Sequence, residues 1–171
     1  LWRSWGLKPD VVVGHSMGEV AAAYVSGALT LPDAAKVICR RSALLKRIQG
    51  KGEMALVQLP ADEAVAALSG NEALLSVAVS NSRRSTVLSG EPAALERVLS
   101  QLEARGIFCR RVKVDVASHS PQVDVLREDL LSALADVSPQ PPALAMRSTV
   151  SGRAIGEGEL NAAYWVDNLR K

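Results

Sequence analysis

Three residues of this chain could carry acyl chemistry: a serine between two glycines, a late histidine, and an arginine on an otherwise apolar helix face. Ser16 lies in Gly14-His15-Ser16-Met17-Gly18, after the apolar run Val11-Val12-Val13 and before an alanine-rich stretch that reads as a helix to about residue 27. A serine at a strand-to-helix turn is held in a sharp bend, and flanking glycines let the backbone come close. The first amides of the following helix have no partner within it and point to the same spot, where negative charge on a substrate oxygen would develop. That context predicts a nucleophilic Ser16, with a plain turn serine as the alternative.

Only two histidines are available as general base. His15 precedes the serine on a strand-like end, where consecutive side chains point opposite ways, so it is poorly placed to reach the hydroxyl of Ser16. His119, in Ala117-Ser118-His119-Ser120-Pro121, is the candidate. An imidazole with a pKa near neutrality can accept the serine proton and return it to a leaving thiol or alcohol. The competing reading is a histidine that only helps open a helix capped by Ser118 or Ser120 and begun by Pro121. Arg41 interrupts the apolar face Ala34, Val37, Ile38, Leu44, Leu45 and Ile48, while Lys36, Arg40 and Arg47 fall to the polar side. A buried charge without a partner costs about 3–5 kcal/mol. An internal carboxylate, an outward-reaching side chain or the carboxylate of a substrate would each satisfy Arg41, and the sequence leaves the three open.

These residues need elements to position them. Residues 1–7 read as the end of a helix closed by Gly6. A second helix starts at Thr30, with Pro32 in its first turn and Asp33 at capping-box spacing. After Gly50-Lys51-Gly52 the pattern is strand 54–59, helix 61–68, strand 74–79, strand 85–88, helix 92–105 and strand 108–116, with Asn81-Ser82-Arg83-Arg84 as a hairpin loop. This βαββαβ order is that of the ferredoxin-like unit. Its last strand alternates, with Val112, Val114 and Val116 on one face, and leads to His119. An amphipathic helix over 123–137 ends before Pro139, Pro141 and Pro142; a strand over 144–150 and a helical or turn segment over 161–169 come after it.

At 171 residues, with 48% hydrophobic content, the chain can bury a core. A formal net charge of +2 with intermixed signs gives no reason to expect a nucleic-acid or membrane surface. No apolar run is long enough for a bilayer, and the start lacks a signal-peptide pattern. Cys39 and Cys109 lack metal-ligand spacing and read as reduced structural thiols of a cytosolic protein, with a buried pairing as the alternative. Both ends, Leu1 and Lys171, read as cut from something larger.

Four ordered stretches resemble the malonyl-CoA:acyl-carrier-protein transacylases, in particular the acyltransferase domains of modular type I polyketide synthases. They are Gly14-His15-Ser16-Met17-Gly18-Glu19, the helix ending Cys39-Arg40-Arg41, Val116-Ala117-Ser118-His119-Ser120, and Tyr164-Trp165-Val166-Asp167-Asn168-Leu169. The resemblance implies an α/β fold: part of an α/β-hydrolase-like large subdomain at 1–52 and 117–171, and an inserted ferredoxin-like small subdomain at 53–116. It implies Ser16 as nucleophile, His119 as base for both half-reactions and the Met17 amide as an oxyanion donor. Arg41 would hold the free carboxylate of the extender unit, and the backbone carbonyl of Asn168 would orient the histidine. His15, Val116 and Ser118 would lie beside the substrate.

The implied reaction moves a malonyl or methylmalonyl group from coenzyme A, through a serine ester, to the phosphopantetheine thiol of an acyl carrier protein. Neighbouring domains such as a ketosynthase would sit in the same cytoplasmic polypeptide, and the domain itself would hold no cofactor and no metal. Ser118 leaves room for an α-methyl and favours methylmalonyl, whereas Val116 replaces the tyrosine usual in that class. A serine esterase or thioesterase of the α/β-hydrolase type, and a catalytically silent scaffold, are the other classes. The family's upstream Gly-Gln-Gly segment, source of a second oxyanion donor, is absent from these residues. The isolated chain is therefore expected to acylate Ser16 weakly or not at all, since one such donor is worth about 10²–10³ in rate. Turnover matching that of a version extended upstream would refute this.

Overall fold

The computed structural model describes residues 3–171, and it divides into two compact units. One comprises residues up to Ser42 together with Asp129–Asn168; the other comprises Ala43–Glu128 and Leu169–Lys171. The expected N-terminal helix falls partly on residues 1 and 2, outside the described residues. Its described part is a 3-10 turn at Arg3–Trp5, ended by Gly6 at φ 83°.

In the first unit, β1 (Val11–Val13) leads through the serine turn into α1 (Met17–Val25). β1 pairs in parallel with β6 (Ala145–Arg147), Val12 opposite Met146. A parallel pair needs a long crossover rather than a hairpin. α2 (Leu31–Leu45) begins as its sequence requires: the Thr30 hydroxyl accepts the Asp33 amide at 3.2 Å and donates to the Asp33 carboxylate at 2.7 Å. Trp165, on α6 (Ala162–Arg170), is buried with its indole N–H on the Leu160 carbonyl at 2.9 Å.

The second unit contains β2 (Glu53–Val57), α3 (Ala61–Ala67), β3 (Leu75–Ser82), β4 (Ser85–Gly90), α4 (Pro92–Ala104) and β5 (Cys109–Val112). Its sheet is antiparallel, in the order β3-β4-β2-β5. Strand residues Ala55, Val57 and Leu88 meet Ala94, Leu95, Val98 and Leu102 of α4 in one apolar cluster. Leu95, Val98 and Leu102 recur at helical spacing, which is why one face of α4 is buried. Gly90 has no substitute here: a Cβ would lie 2.1 Å from the Leu74 carbonyl oxygen.

Three expected boundaries are corrected. The last strand ends at Val112 rather than 116, because Val112 already faces Met54 and β2 has one residue left beyond it. The chain then turns tightly, Val114 N–H donating to the Val112 carbonyl at 2.9 Å, and Val112 and Val114 are exposed. The hairpin loop shrinks to Arg83 and Arg84, since Ser82 pairs with Ser85. The helix expected over 123–137 is a 3-10 turn at Pro121–Leu126 followed by α5 (Arg127–Ala133). Both cysteines are free thiols, and Cys39 is exposed rather than structural.

Beyond α5, Asp136 takes Arg40 as an ion-pair partner, with Lys36 at 3.3 Å. The Arg40 hydrogen bond, aided by Lys36, holds its carboxyl at about 2, well below the usual 3.8. A depressed carboxyl contributes stability that is complete above its unfolded pKa and is lost as the pH falls through the folded one. Wild type should therefore lose stability more steeply than Asp136→Asn between about pH 4 and pH 2, as read by chemical denaturation across that range. Parallel acid limbs would contradict the assignment.

Candidate active site

The turn between β1 and α1 is strained at the residue the sequence singles out. Ser16 has φ 54° and ψ −118°, and His119 has φ 60°; among the described residues these are the two non-glycine positions with positive φ. Such conformations cost about 1–3 kcal/mol each and persist only where the surroundings enforce them. At Ser16 the enforcement is visible. The Gly18 amide donates to the His15 carbonyl at 2.8 Å and the Glu19 amide to the Ser16 carbonyl at 3.1 Å. A Cβ on Gly14 would lie 2.0 Å from the Gly18 carbonyl oxygen, so only glycine fits. Ser16 occupies the cap position of α1, yet its hydroxyl caps nothing. Met17 opens the helix, where the first amides lack intrahelical acceptors.

The Ser16 hydroxyl instead accepts a hydrogen bond from Arg41 Nη2 at 2.9 Å. Arg41 Nη1 donates to Asn168 Oδ1 at 2.8 Å, and its Nε is buried without a partner. At 3% exposed, Arg41 does not reach outward, and no carboxylate among the described residues engages it. Its partners are thus a neutral amide and a hydroxyl. Burial lowers its pKa to about 10, so the guanidinium remains charged at neutral pH.

Asn168 Nδ2 donates to the Ser16 carbonyl at 3.2 Å and to Glu19 Oε2 at 2.6 Å. Glu19 is fully buried and also receives the Thr149 amide, the Thr149 hydroxyl at 3.0 Å and the Tyr164 hydroxyl at 2.8 Å. Burial, with the adjoining Glu19 carboxylate, pushes the Tyr164 phenol above its ordinary value, offset in part by Ser148. Sequence reasoning singles out none of Glu19, Thr149 and Tyr164 as a site residue. Glu19 at the first turn of a helix reads as an ordinary exposed acid favoured by the helix dipole, and its partners lie 130 and 145 residues away.

His119 belongs to the second unit, where it is buried, its amide donating to the Leu169 carbonyl at 2.9 Å. Its Nδ1 lies 2.7 Å from the main-chain oxygen of Lys171. The expected partner of the ring was instead the backbone carbonyl of Asn168, which lies within α6. An oxygen acceptor at Nδ1 fixes the proton there in the neutral ring and leaves Nε2 as the basic nitrogen. Ser118 is half-buried, its carbonyl accepting the Ser89 hydroxyl at 2.6 Å; Val116 is half-buried and His15 exposed. No group of His, Cys, Asp and Glu suited to a metal occurs among the described residues, and none of their helices is long and apolar enough to cross a membrane.

An α/β chain with a strained serine ahead of a helix, and a guanidinium on its hydroxyl, defines a candidate acyl-transfer site. The chain belongs to the acyl transferase domain family, whose model matches residues 1–171. It is 47% identical to the erythronolide synthase EryA2 of Saccharopolyspora erythraea, over all of this chain and 5% of that protein. A mycocerosic acid synthase-like polyketide synthase of Mycolicibacterium smegmatis is 46% identical over 98% of this chain and 8% of its own length. The fold matches the acyltransferase domain of module 8 of the salinomycin polyketide synthase at a TM-score of 0.97 and 43% identity, over 99% of this chain and 40% of that one. It also matches the malonyl CoA-acyl carrier protein transacylase of Coxiella burnetii at 0.91 and 28%, over 99% of this chain and 56% of that one. The chain thus spans well under two thirds of each of these relatives.

Gly14→Ala should destabilise the fold by about 1–3 kcal/mol, because the added methyl cannot fit the β1–α1 turn. Chemical denaturation checks this, and a variant as stable as wild type would contradict the geometry.

Proposed function

We propose that this chain is the catalytic part of a polyketide synthase acyltransferase that loads a carboxylated extender unit onto an acyl carrier protein. The observation that carries this reading is Arg41 Nη2 at 2.9 Å from Ser16 Oγ, on a buried guanidinium that no carboxylate among the described residues neutralises. A malonyl or methylmalonyl ester on that oxygen carries its free carboxylate two carbons beyond, within reach of the same guanidinium, and a planar fork matches a carboxylate bidentately.

Ser16 Oγ attacks the thioester carbonyl of the acyl-CoA while Nε2 of His119 takes its proton. The tetrahedral oxyanion is met by the Met17 amide. Collapse expels the coenzyme A sulfur, which leaves with the proton from His119. The phosphopantetheine thiol of the carrier protein then gives its proton to His119 and attacks the serine ester. Ser16 leaves reprotonated, and the extender is carried as a thioester. The Lys171 oxygen on Nδ1 supports the required tautomer without any aspartate.

In this reading residues 1–52 and 117–171 are α/β-hydrolase-like and residues 53–116 are a ferredoxin-like insert. His15, Val116 and Ser118 line the acyl site, and a ketosynthase is among the neighbouring domains of a cytoplasmic polypeptide. No resident cofactor is required, because the acyl group arrives already activated as a thioester. The small Ser118 side chain favours methylmalonyl modestly, one methyl being worth about 1–3 kcal/mol of discrimination.

The test is acylation of the full-length polypeptide by malonyl- and methylmalonyl-CoA, monitored by mass. Wild type should carry a carboxyacyl adduct on Ser16, faster with methylmalonyl-CoA, and Ser16→Ala none. His119→Ala should be slower by about 10²–10⁴. Arg41→Ala should lose about 10- to 10²-fold with the carboxylated substrates, as a charged hydrogen bond warrants. Simple-ester turnover without a carboxyacyl adduct would point to a hydrolase instead.

A further inference from the structure

The partners of Arg41 and Glu19 are arranged so that the two charges never touch. Both are buried, both belong to the same unit, and the amide of Asn168 stands between them. Its oxygen faces the guanidinium, which can only donate, at 2.8 Å; its nitrogen faces the carboxylate of Glu19 at 2.6 Å and the carbonyl of Ser16 at 3.2 Å, which can only accept. The partners therefore fix which way the amide points. Glu19 draws its other donors from Thr149 and Tyr164. A carboxylate in place of the amide would sit directly on Arg41, forming an internal ion pair and leaving no uncompensated charge for a ligand.

We propose that Asn168 is a positioning and specificity residue: a neutral spacer that holds Arg41 beside the Ser16 hydroxyl while keeping its positive charge available to the carboxylate of an incoming acyl group. Asn168 acts through Arg41 and the Ser16 backbone and touches no reacting atom. The inference rests on the acyltransferase reading above and adds to it the device that makes the site select dicarboxylic over plain acyl groups. It also gives Glu19 a role, as the anchor that orients the spacer from the first turn of α1.

The decisive variants are Asn168→Asp and the exchange Glu19→Gln with Asn168→Asp, made in the full-length polypeptide. The exchange conserves the number of charges and of amides and moves the negative charge from the far side of the spacer onto Arg41. Acylation rates of Ser16 with malonyl-CoA and with acetyl-CoA, measured by mass alongside thermal unfolding, supply the readout. Wild type is expected to favour malonyl, and the exchange to cut the malonyl-to-acetyl ratio at least tenfold, chiefly by raising KM for malonyl-CoA, with acetyl transfer falling far less. Asn168→Asp should shift the ratio the same way. An unchanged ratio, or both rates falling together, overturns the inference and reduces Asn168 to a structural amide. An exchange that cannot fold overturns it too, since neutrality would then serve folding rather than selection. A wild type with no carboxyacyl adduct on Ser16 sinks the acyltransferase reading itself. A selective wild type with an equally selective exchange sinks only the spacer.

Discussion

Keeping one positive charge out of water and unneutralised is the constraint on which the rest of the first unit depends. An arginine buried to 3% exposure, with its Nε lacking any partner, is tolerated only where the surroundings hold it rigidly and its remaining donors are used. Here the holding groups are an amide and a hydroxyl, both neutral, so the guanidinium keeps its field. The same amide grips the carbonyl of Ser16, which ties the strained serine turn to the helix that carries Arg41. Charge and strain are thus stabilised by one set of contacts. The apolar burial around α1, α2 and Trp165 has to offset both.

Much of the fold was legible because its local signals agreed with one another. Thr30, Pro32 and Asp33 mark the start of α2 through capping chemistry that needs no distant partner, and Gly106, at φ 75°, lies just past the end of α4. The six elements expected between 53 and 116 are present in that order, because alternating valines and helical leucine spacing each point to one period. The errors fall where a neighbour decides. The valine alternation of 112–116 looks like a strand, yet β2 offers almost no partner beyond Val112. The stretch 121–137 has helical periodicity throughout but splits at Leu126 into a 3-10 turn and a short helix.

The site was legible to the extent that its residues are of unusual type for their position. A serine between glycines at the end of a valine run, and an arginine among aliphatic residues on a helix, both break a local rule, and such breaks mark functional places. Glu19 breaks none. An acid in a first helical turn is favourable on its own, so nothing local announces that Thr149, Tyr164 and Asn168 close over it.

The pairing of β1 with β6 also bears on how the polypeptide comes to be folded. β1 finds its partner only after nearly the whole of the second unit has been synthesised, since Val12 pairs with Met146. The sheet of the second unit, with its hairpin of β3 and β4, closes over short separations. Loop-closure entropy makes local pairings fast and distant ones slow. On the ribosome the middle of the chain can condense first, while the serine-bearing strand waits with its backbone groups unpaired. In that interval the nascent chain is most exposed to aggregation.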